Sequence, residues 1–506
     1  MMPLWFFLLL FLVPFVAIFL LDKSKKPSKH REPPGPPRLP LIGNLHQFDS
    51  AKPQEYLKKL CDKYGPLVSL KLGNRSVIVI GSADMAREAI KNNDIAFSGR
   101  PSLVCSQKLS YNGLDVGFAN YGNYWREMRK ITVLHLLSIK KVQSFRPIHE
   151  DEIAQLVNKV SVHSAASSSS EPINIRSAIM SVTSRIICRI AFGNSGDIAG
   201  NNRRSASDIL HDTEAMLGGF FLSDYFPSLL GPWVDKATGM LPRLEKNFQE
   251  LDSLYQEFID ECLKPNRPES MKNNILDMLI QLKEDKACAF DLTLDNIKAM
   301  VTNIFIAATD SSAATTIWTL TSLMKNPSTM KILQTEIRDL FGNETKIEPE
   351  KLRELPYLSA VIKEALRLHF PVPLLLPRET IESCTLGGYE IKPNTFVLIN
   401  AWAIARDPKT WEDPNEFKPE RFLNNDDVDV IKGQCFELIP FGSGRRGCPG
   451  ANLALATVEL VIANLLNFFD WELPSGMKIE DIDTEGMPGI TMFPRNPICL
   501  VAKKRA

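Results

Sequence analysis

The 506-residue sequence predicts a mainly α-helical fold with small β regions, one large body preceded by a single N-terminal transmembrane helix. Three observations carry that expectation. From about residue 84 onward, apolar side chains recur at i, i+3, i+4 spacing through most of the chain. Strand-like runs are confined to two short patches and an extended tail (485–502). The first 21 residues contain no charged side chain, and a run of that length spans a bilayer as a helix. An α/β barrel or doubly wound fold would need strands alternating with helices throughout, and they do not.

The elements can be justified in chain order. The opening MMPLWFFLLLFLVPFVAIFLL (1–21) tolerates one proline, Pro14, and is followed by Lys23, Lys25, Lys26, Lys29 and Arg31. A cleaved leader carries its charge before the apolar run and ends at a small-residue site. Here the order is reversed, and positive flanks stay in the cytosol, so 1–21 is expected to be a signal anchor. Residues 22–47 form a basic and proline-rich linker; EPPGPPRLPLIGNLHQ (32–47) is too rich in proline for helix or central strand. The body, 48–506, opens with a β element, 67–82, that turns at Gly73-Asn74. Helical spacing follows around 84–93, 121–136, 147–162, 174–192, 244–264, 294–325, 328–341 and 357–369. A second β patch at 384–400 turns at Gly387-Gly388, and a last helix begins near Ala451.

Composition excludes several function classes. Formal net charge is zero, so no nucleic-acid partner is expected. The nine cysteines are scattered, odd in number and lack a C-x-x-C pair, which argues against a disulfide framework or a zinc site. Sequons at Asn74 and Asn343 would be glycosylated only in a lumenal body.

Five stretches carry candidate chemistry. PFGSGRRGCPG (440–450) places Cys448 in a glycine-dense loop beside two arginines, a setting that favours the metal-binding thiolate; an incidental buried cysteine fits equally. NIFIAATDSSAATT (303–316) sets Asp310 and Ser311 among alanines in the middle of the longest helix. In VIKEALRLHF (361–370), Glu364 and Arg367 stand at i, i+3, a spacing usual for a solvated face; Arg421 in FKPERF could share Glu364. NYWREMRK (123–130) projects Trp125 and Arg129 from one side of a helix.

Taken in order, P-P-G-P-P, W-x-x-x-R, A-x-x-D-S, E-x-x-R, P-E-R-F and F-x-x-G-x-R-x-C-x-G resemble the cytochrome P450 superfamily, specifically its plant microsomal A-type branch. The resemblance covers essentially the whole chain. It implies a cytochrome P450 fold enclosing haem b, with Cys448 as the thiolate ligand of the haem iron. It implies backbone N–H groups of Phe441–Gly450 aimed at that sulfur, Phe441 as its shield, and Gly444 and Gly450 as turns close to the porphyrin. Trp125, Arg129, Arg378 and Arg446 would bind the haem carboxylates. Glu364, Arg367 and Arg421 would form a buried structural network. Asp310 and Ser311 would be the catalytic acid–alcohol pair that relays protons, with serine in place of the usual threonine and Ala308 in place of the usual glycine.

The same resemblance implies a membrane-anchored monooxygenase of the endoplasmic reticulum, single-pass with a cytosolic catalytic body. Its electrons would come from NADPH through cytochrome P450 reductase, steered by Arg126, Lys130, Lys140 and Lys141. Its substrate would be a lipophilic plant specialised metabolite of terpenoid, phenylpropanoid or alkaloid type. Contacts are expected from Ser102–Val116, Met216–Phe221, Phe305–Ser311, Val372–Leu375 and Gly489–Met492, including Leu103, Val104, Leu217, Phe220, Val372, Leu374 and Ile490. The alternatives are an isomerase, dehydratase or oxidative ring-forming enzyme on the same fold; a non-catalytic haem sensor is disfavoured by the anchor and by Asp310.

Overall fold

The computed structural model describes residues 32–166, 171–193, 204, 206–228, 230–342, 344, 346–423 and 428–505. The expected anchor 1–21, the basic cluster behind it, the end of the serine-rich run and Asn343 lie outside the described residues. The proline-rich lead-in is stitched to the body: Ser69 N–H donates to Pro34 O (2.8 Å), and Lys71 N–H to the Asn44 side chain (2.8 Å). Gly43 makes that approach possible, because a Cβ there would stand 2.0 Å from Lys71 O.

A helix that the periodicity did not signal, α1 (Pro53–Tyr64), comes first. Proline at its first turn suits a helix start, and Leu57, Leu60 and Cys61 bury one side of it against the sheet. The strands β1 (Leu67–Leu72) and β2 (Arg75–Ile80) pair antiparallel around Gly73, which lies at φ +55°. Next come α2 (Asn123–Lys130), continued by a π-helical stretch Ile131–Leu136, then α3 (Arg146–Ala166), β3 (Ile173–Asn174) and α4 (Ile175–Phe192). After α5 (Ala206–Leu217) and α6 (Met240–Cys262), the central α7 spans Leu294–Lys325, followed by α8 (Pro327–Phe341) and α9 (Pro356–Leu368).

The two β patches belong to one sheet. Its order is β1-β2-β7-β4, with β4 at Arg378–Glu379 and β7 (Phe396–Ile399) running parallel to β2. Between them β5 (Cys384–Leu386) and β6 (Tyr389–Ile391) form a hairpin on Gly387 and Gly388, both at positive φ. A third sheet places the tail strand β9 (Cys499–Lys504) between β3 and β8 (Phe469–Glu472). The last helix, α10 (Ala451–Phe468), is apolar enough to cross a membrane, yet most of it is buried against α7.

The long helix is where the packing converges. Thr293 and Asn296 cap its start reciprocally: each side chain takes the other's backbone N–H. Many hydroxyls lie on its buried faces, and most of them are satisfied within the helix; those of Thr309 and Ser322 have no partner among the described residues. Thr302, Thr315, Thr316, Thr319 and Thr321 each donate to the carbonyl four residues back. Hydroxyls so paired can face a core made of Ile317, Trp318, Leu320 and Leu323.

Glu364 and Arg367 do not form a solvated face. Both are completely buried, Arg367 Nε and Nη2 bind the two Glu364 oxygens at 2.7 and 2.8 Å, and Arg421 Nε adds a bond at 3.2 Å. Removing one partner of a buried pair strands the other. Glu364→Gln is therefore expected to lower stability by ~3–5 kcal/mol, whereas Glu472→Gln, at the exposed Lys503 pair, changes it by ~0–1 kcal/mol. Thermal unfolding of the two purified variants checks the contrast; equal losses would contradict it.

Candidate functional site

The loop before α10 is built around a sulfur. Gly442 and Gly444 lie at φ +67° and +68°, so the chain doubles back, and Cys448 N–H donates to Phe441 O at 2.8 Å. The amides of Gly450 and Ala451, at the start of α10, point at the thiol. Burial raises the thiol's pKa, while those amides and the Arg129 charge lower it. Cys448 is accessible, but the space it meets is an internal cavity and not the outer surface. A Cβ at Gly450 would stand at ordinary contact distance, 3.9 Å, from the Cys448 sulfur, so the packing of the loop itself does not demand glycine there. Gly444 turns the chain at positive φ and also serves a packing contact. A Cβ there would stand 2.7 Å from Ile90 Cγ2 and 2.9 Å from Asp94 Oδ1, so its smallness serves the contact with segment 88–94.

The cavity holds about 770 Å³ and is mostly apolar, as small-molecule sites are. One end carries a concentration of guanidinium groups. Arg129, Arg378 and Arg446 meet there, joined by Arg100, which has no helical period or motif in the sequence to reveal it. Burial lowers the Arg378 pKa to about 10 and, with Arg378 as neighbour, that of Arg446 to about 9. Arg100 is pushed well down by burial and then by Arg446 and Arg378. Opposing charge is sparse: Asp94 stands 4.0 Å from Arg378, and Asp115 is occupied by the amides of Phe118 and Ala119. Arg129 makes no hydrogen bond or ion pair among the described residues.

The donors expected to face a cofactor are partly committed elsewhere. Trp125 Nε1–H donates to Val116 O at 2.9 Å, and its indole lies 4.3 Å from the Arg446 guanidinium, serving as a platform. Arg446 donates to Ser98 O and Ala119 O, both at 2.7 Å. Arg378 donates to Phe97 O at 3.3 Å and Ser443 O at 3.0 Å. These bonds use part of each five-donor fork and fix its direction. Phe441 is half-buried and lines the cavity beside Cys448.

Across the cavity stands the middle of α7. Ser311 lines the cavity and its Oγ donates to Ala307 O at 2.6 Å, which leaves the hydroxyl oxygen free to accept. Asp310 is buried, and desolvation raises its pKa to about 7, opposed by the charge of Arg176. The neighbouring Thr309 hydroxyl is buried with no hydrogen-bond partner among the described residues. Of the expected contact residues, Leu217, Val372 and Ile490 line this cavity; Leu103 and Leu374 line a smaller one of about 200 Å³ beside it. Val104 borders a separate surface pocket, and Phe220 turns outward, 51% exposed and stacked on Tyr225. A polar wall from the end of β3, α4 and α5, with Asn174, Arg176, His211 and Glu214, was not anticipated. Its residues come from a strand end and two helices whose sequence patterns signal no site.

Comparison with known proteins identifies the family. The family profile "Cytochrome P450" matches residues 33–501. The chain is 45% identical to strychnine-11-hydroxylase of Strychnos nux-vomica, over 98% of this chain and 97% of that protein. It is 42% identical to 6,7,8-trihydroxycoumarin synthase of Pastinaca sativa, over 100% and 99%. A zebra fish cytochrome P450 solved with abiraterone shares the fold, with a TM-score of 0.73 at 24% identity, covering 90% of this chain and 100% of that one. The family's resident group is haem b, held by a cysteine thiolate. The residues present fit it: a thiol open to a cavity, amides aimed at the sulfur, and under-compensated guanidinium groups where carboxylates would sit. The chain belongs to the cytochrome P450 family of haem-thiolate monooxygenases.

Proposed function

We propose that this chain is an anchored monooxygenase that oxidises a lipophilic plant specialised metabolite with electrons drawn from NADPH through cytochrome P450 reductase. The observation that carries this reading is one cavity bounded by Cys448 on one side and Asp310 and Ser311 on the other. Bound there, haem b supplies the redox iron at which dioxygen is reduced. Cys448 is the proposed ligand, with the amides of Gly450 and Ala451 moderating its charge. Arg129, Arg378 and Arg446 take the carboxylates, Arg100 adds to the same positive field, and Trp125 holds Arg446 in place. Asp310, with a pKa near neutrality, can both accept and release a proton, and Ser311 can pass one on through its free lone pairs. Retention of this pair argues against an isomerase or dehydratase. An alkaloid or a phenylpropanoid such as a coumarin is favoured over a terpenoid, because relatives over 40% identical are named for such compounds. Cys448→Ser should abolish the thiolate-type spectrum of the reduced carbon monoxide complex, while Cys435→Ser leaves it unchanged. An unaltered spectrum in the Cys448 variant would remove the ligand assignment.

The proposed reductase site lies on the Cys448 side. Leu137 reaches to 4.0 Å from where a Gly450 Cβ would stand, and beside it Val133, Leu134 and Ile139 are exposed among Arg126, Lys130 and Lys140. Lys141 is less available, since its Nζ donates to Asn273 O at 3.1 Å. Apolar side chains ringed by cations suit an acidic partner, steered at low salt. Reversing Lys130 and Lys140 to Glu is expected to slow electron delivery by the reductase about tenfold without changing haem content. Unchanged reduction kinetics would argue for another docking face.

Residues 1–21 are the proposed anchor, 22–47 the linker and 48–506 the catalytic body, placed in the cytosol at the endoplasmic reticulum. The support is the order of the apolar run and its lysines. Asn74 is exposed in the β1–β2 turn, a position open to glycosylation in the lumen. In plant cells it is expected to remain unmodified; a glycan on Asn74 would put the body on the lumenal side.

A further inference from the structure

Arg176, in the first turn of α4, is a half-buried cation with poor local company. Its guanidinium lies 4.6 Å from the centre of the Phe493 ring, and Nη1 donates to Met487 Sδ at 3.5 Å. A thioether is a weak acceptor. No carboxylate among the described residues is within ion-pair reach of Arg176, so most of its donors are left to the cavity it lines. Asp310 is the converse. It is 7% exposed, lines the same cavity, and its carboxyl makes no hydrogen bond or ion pair among the described residues.

The other charged groups on the cavity are placed or engaged differently. Asp208, His211 and Glu214 border it from α5. Arg129, Arg446 and Cys448 stand at the opposite end, together with Arg100, Asp115 and Arg378. The turn 487–493 contains no ionisable side chain; beyond it, Glu485 and Arg495 pair at 2.5 Å and Glu485 also holds Lys52 at 2.8 Å. Arg176 is the one charge that acts appreciably on Asp310, and Asp310 the one that acts on Arg176.

We propose that Arg176 is a positioning residue for proton delivery: acting across the cavity, it holds the Asp310 carboxyl in a state that can release its proton toward Ser311. This rests on the reading of Asp310 and Ser311 as the relay. Both side chains line the cavity with hydrogen-bonding capacity unused, so water within it can link the two charges. A proton taken by the carboxylate from water on one side leaves the carboxyl on the other. At each transfer one O–H bond breaks and one forms, and no electron moves. Burial alone favours the protonated, non-releasing carboxyl; the guanidinium offsets this and brings the group to the neutral range. Because Arg176 also rests on Phe493 and Met487, the same contact ties the relay to the turn whose Gly489, Ile490 and Thr491 line the cavity.

The test uses the full-length holoenzyme. Arg176→Met removes the charge while keeping a long side chain against Phe493; Arg176→Lys restores the charge. The protonated-carboxyl infrared band of Asp310, assigned by its loss in Asp310→Asn, is followed through a pH titration in each protein. Arg176→Met is expected to raise the proton affinity of Asp310 about tenfold, moving the midpoint alkaline, and Arg176→Lys to bring it most of the way back. In parallel, peroxide released per NADPH should rise in Arg176→Met at neutral pH and fall again as pH is raised. An unmoved midpoint in Arg176→Met, with Ser311→Ala and Asp310→Asn still uncoupled, overturns the role of Arg176 alone. Normal coupling in Ser311→Ala and Asp310→Asn overturns the relay and this inference with it. The reduced carbon monoxide spectrum, unchanged in all these variants, separates either failure from loss of the haem site.

Discussion

The Glu364 carboxylate is the point on which the irregular half of the molecule hangs. Between Asn400 and Gly450 the chain has little regular structure of its own, only short helical turns. Arg367, gripping Glu364 with two nitrogens, sends its remaining donors to Ala405 O, Pro414 O and Glu416 O. Lys418 N–H and Arg421 return to the same carboxylate oxygen, and both guanidiniums lie near the Trp411 ring. One buried anion thus ties α9 to several turns of chain that hydrogen bonds of a sheet or helix do not hold. The sulfur-bearing loop begins 19 residues after Arg421, so this knot fixes the stretch of chain that leads into it.

The two sides of the cavity follow opposite electrostatic logic. At the Cys448 end, cations are crowded together and mostly satisfied by carbonyl oxygens, which orient them without neutralising them. At the α7 side a lone acid is left nearly unsolvated and is steadied by one distant cation. The first arrangement suits holding an anion in a fixed pose. The second keeps a group near its point of indecision between charged and neutral, the condition required of a group that must exchange protons.

Much of this was legible in the residues, for stateable reasons. The bounds of α7 follow from Thr293 and Asn326-Pro327, and the loop around Cys448 announces itself by glycine density. Other features depend on what the sequence does not contain locally. The spacing of Glu364 and Arg367 is that of any surface pair; only the chain folded over them makes them core. The parallel pairing of β2 with β7 joins residues more than three hundred apart, so two patches looked separate. α1 is amphipathic but short, and proline at its start resembles continuation of the proline-rich lead-in. Phe220 is apolar and sits where a contact was expected, yet its ring turns to Tyr225 and solvent. Arg100 and Arg176 are single residues without a motif, and their meaning comes entirely from what other elements bring near them.

The crowding of Arg100, Arg378 and Arg446 bears on what holds the fold closed. Like charges buried side by side oppose closure of the segments that carry them, 97–119 and 440–450, until something anionic lies between. The closed arrangement of these two segments is therefore the part of the fold that a bound anion would stabilise most.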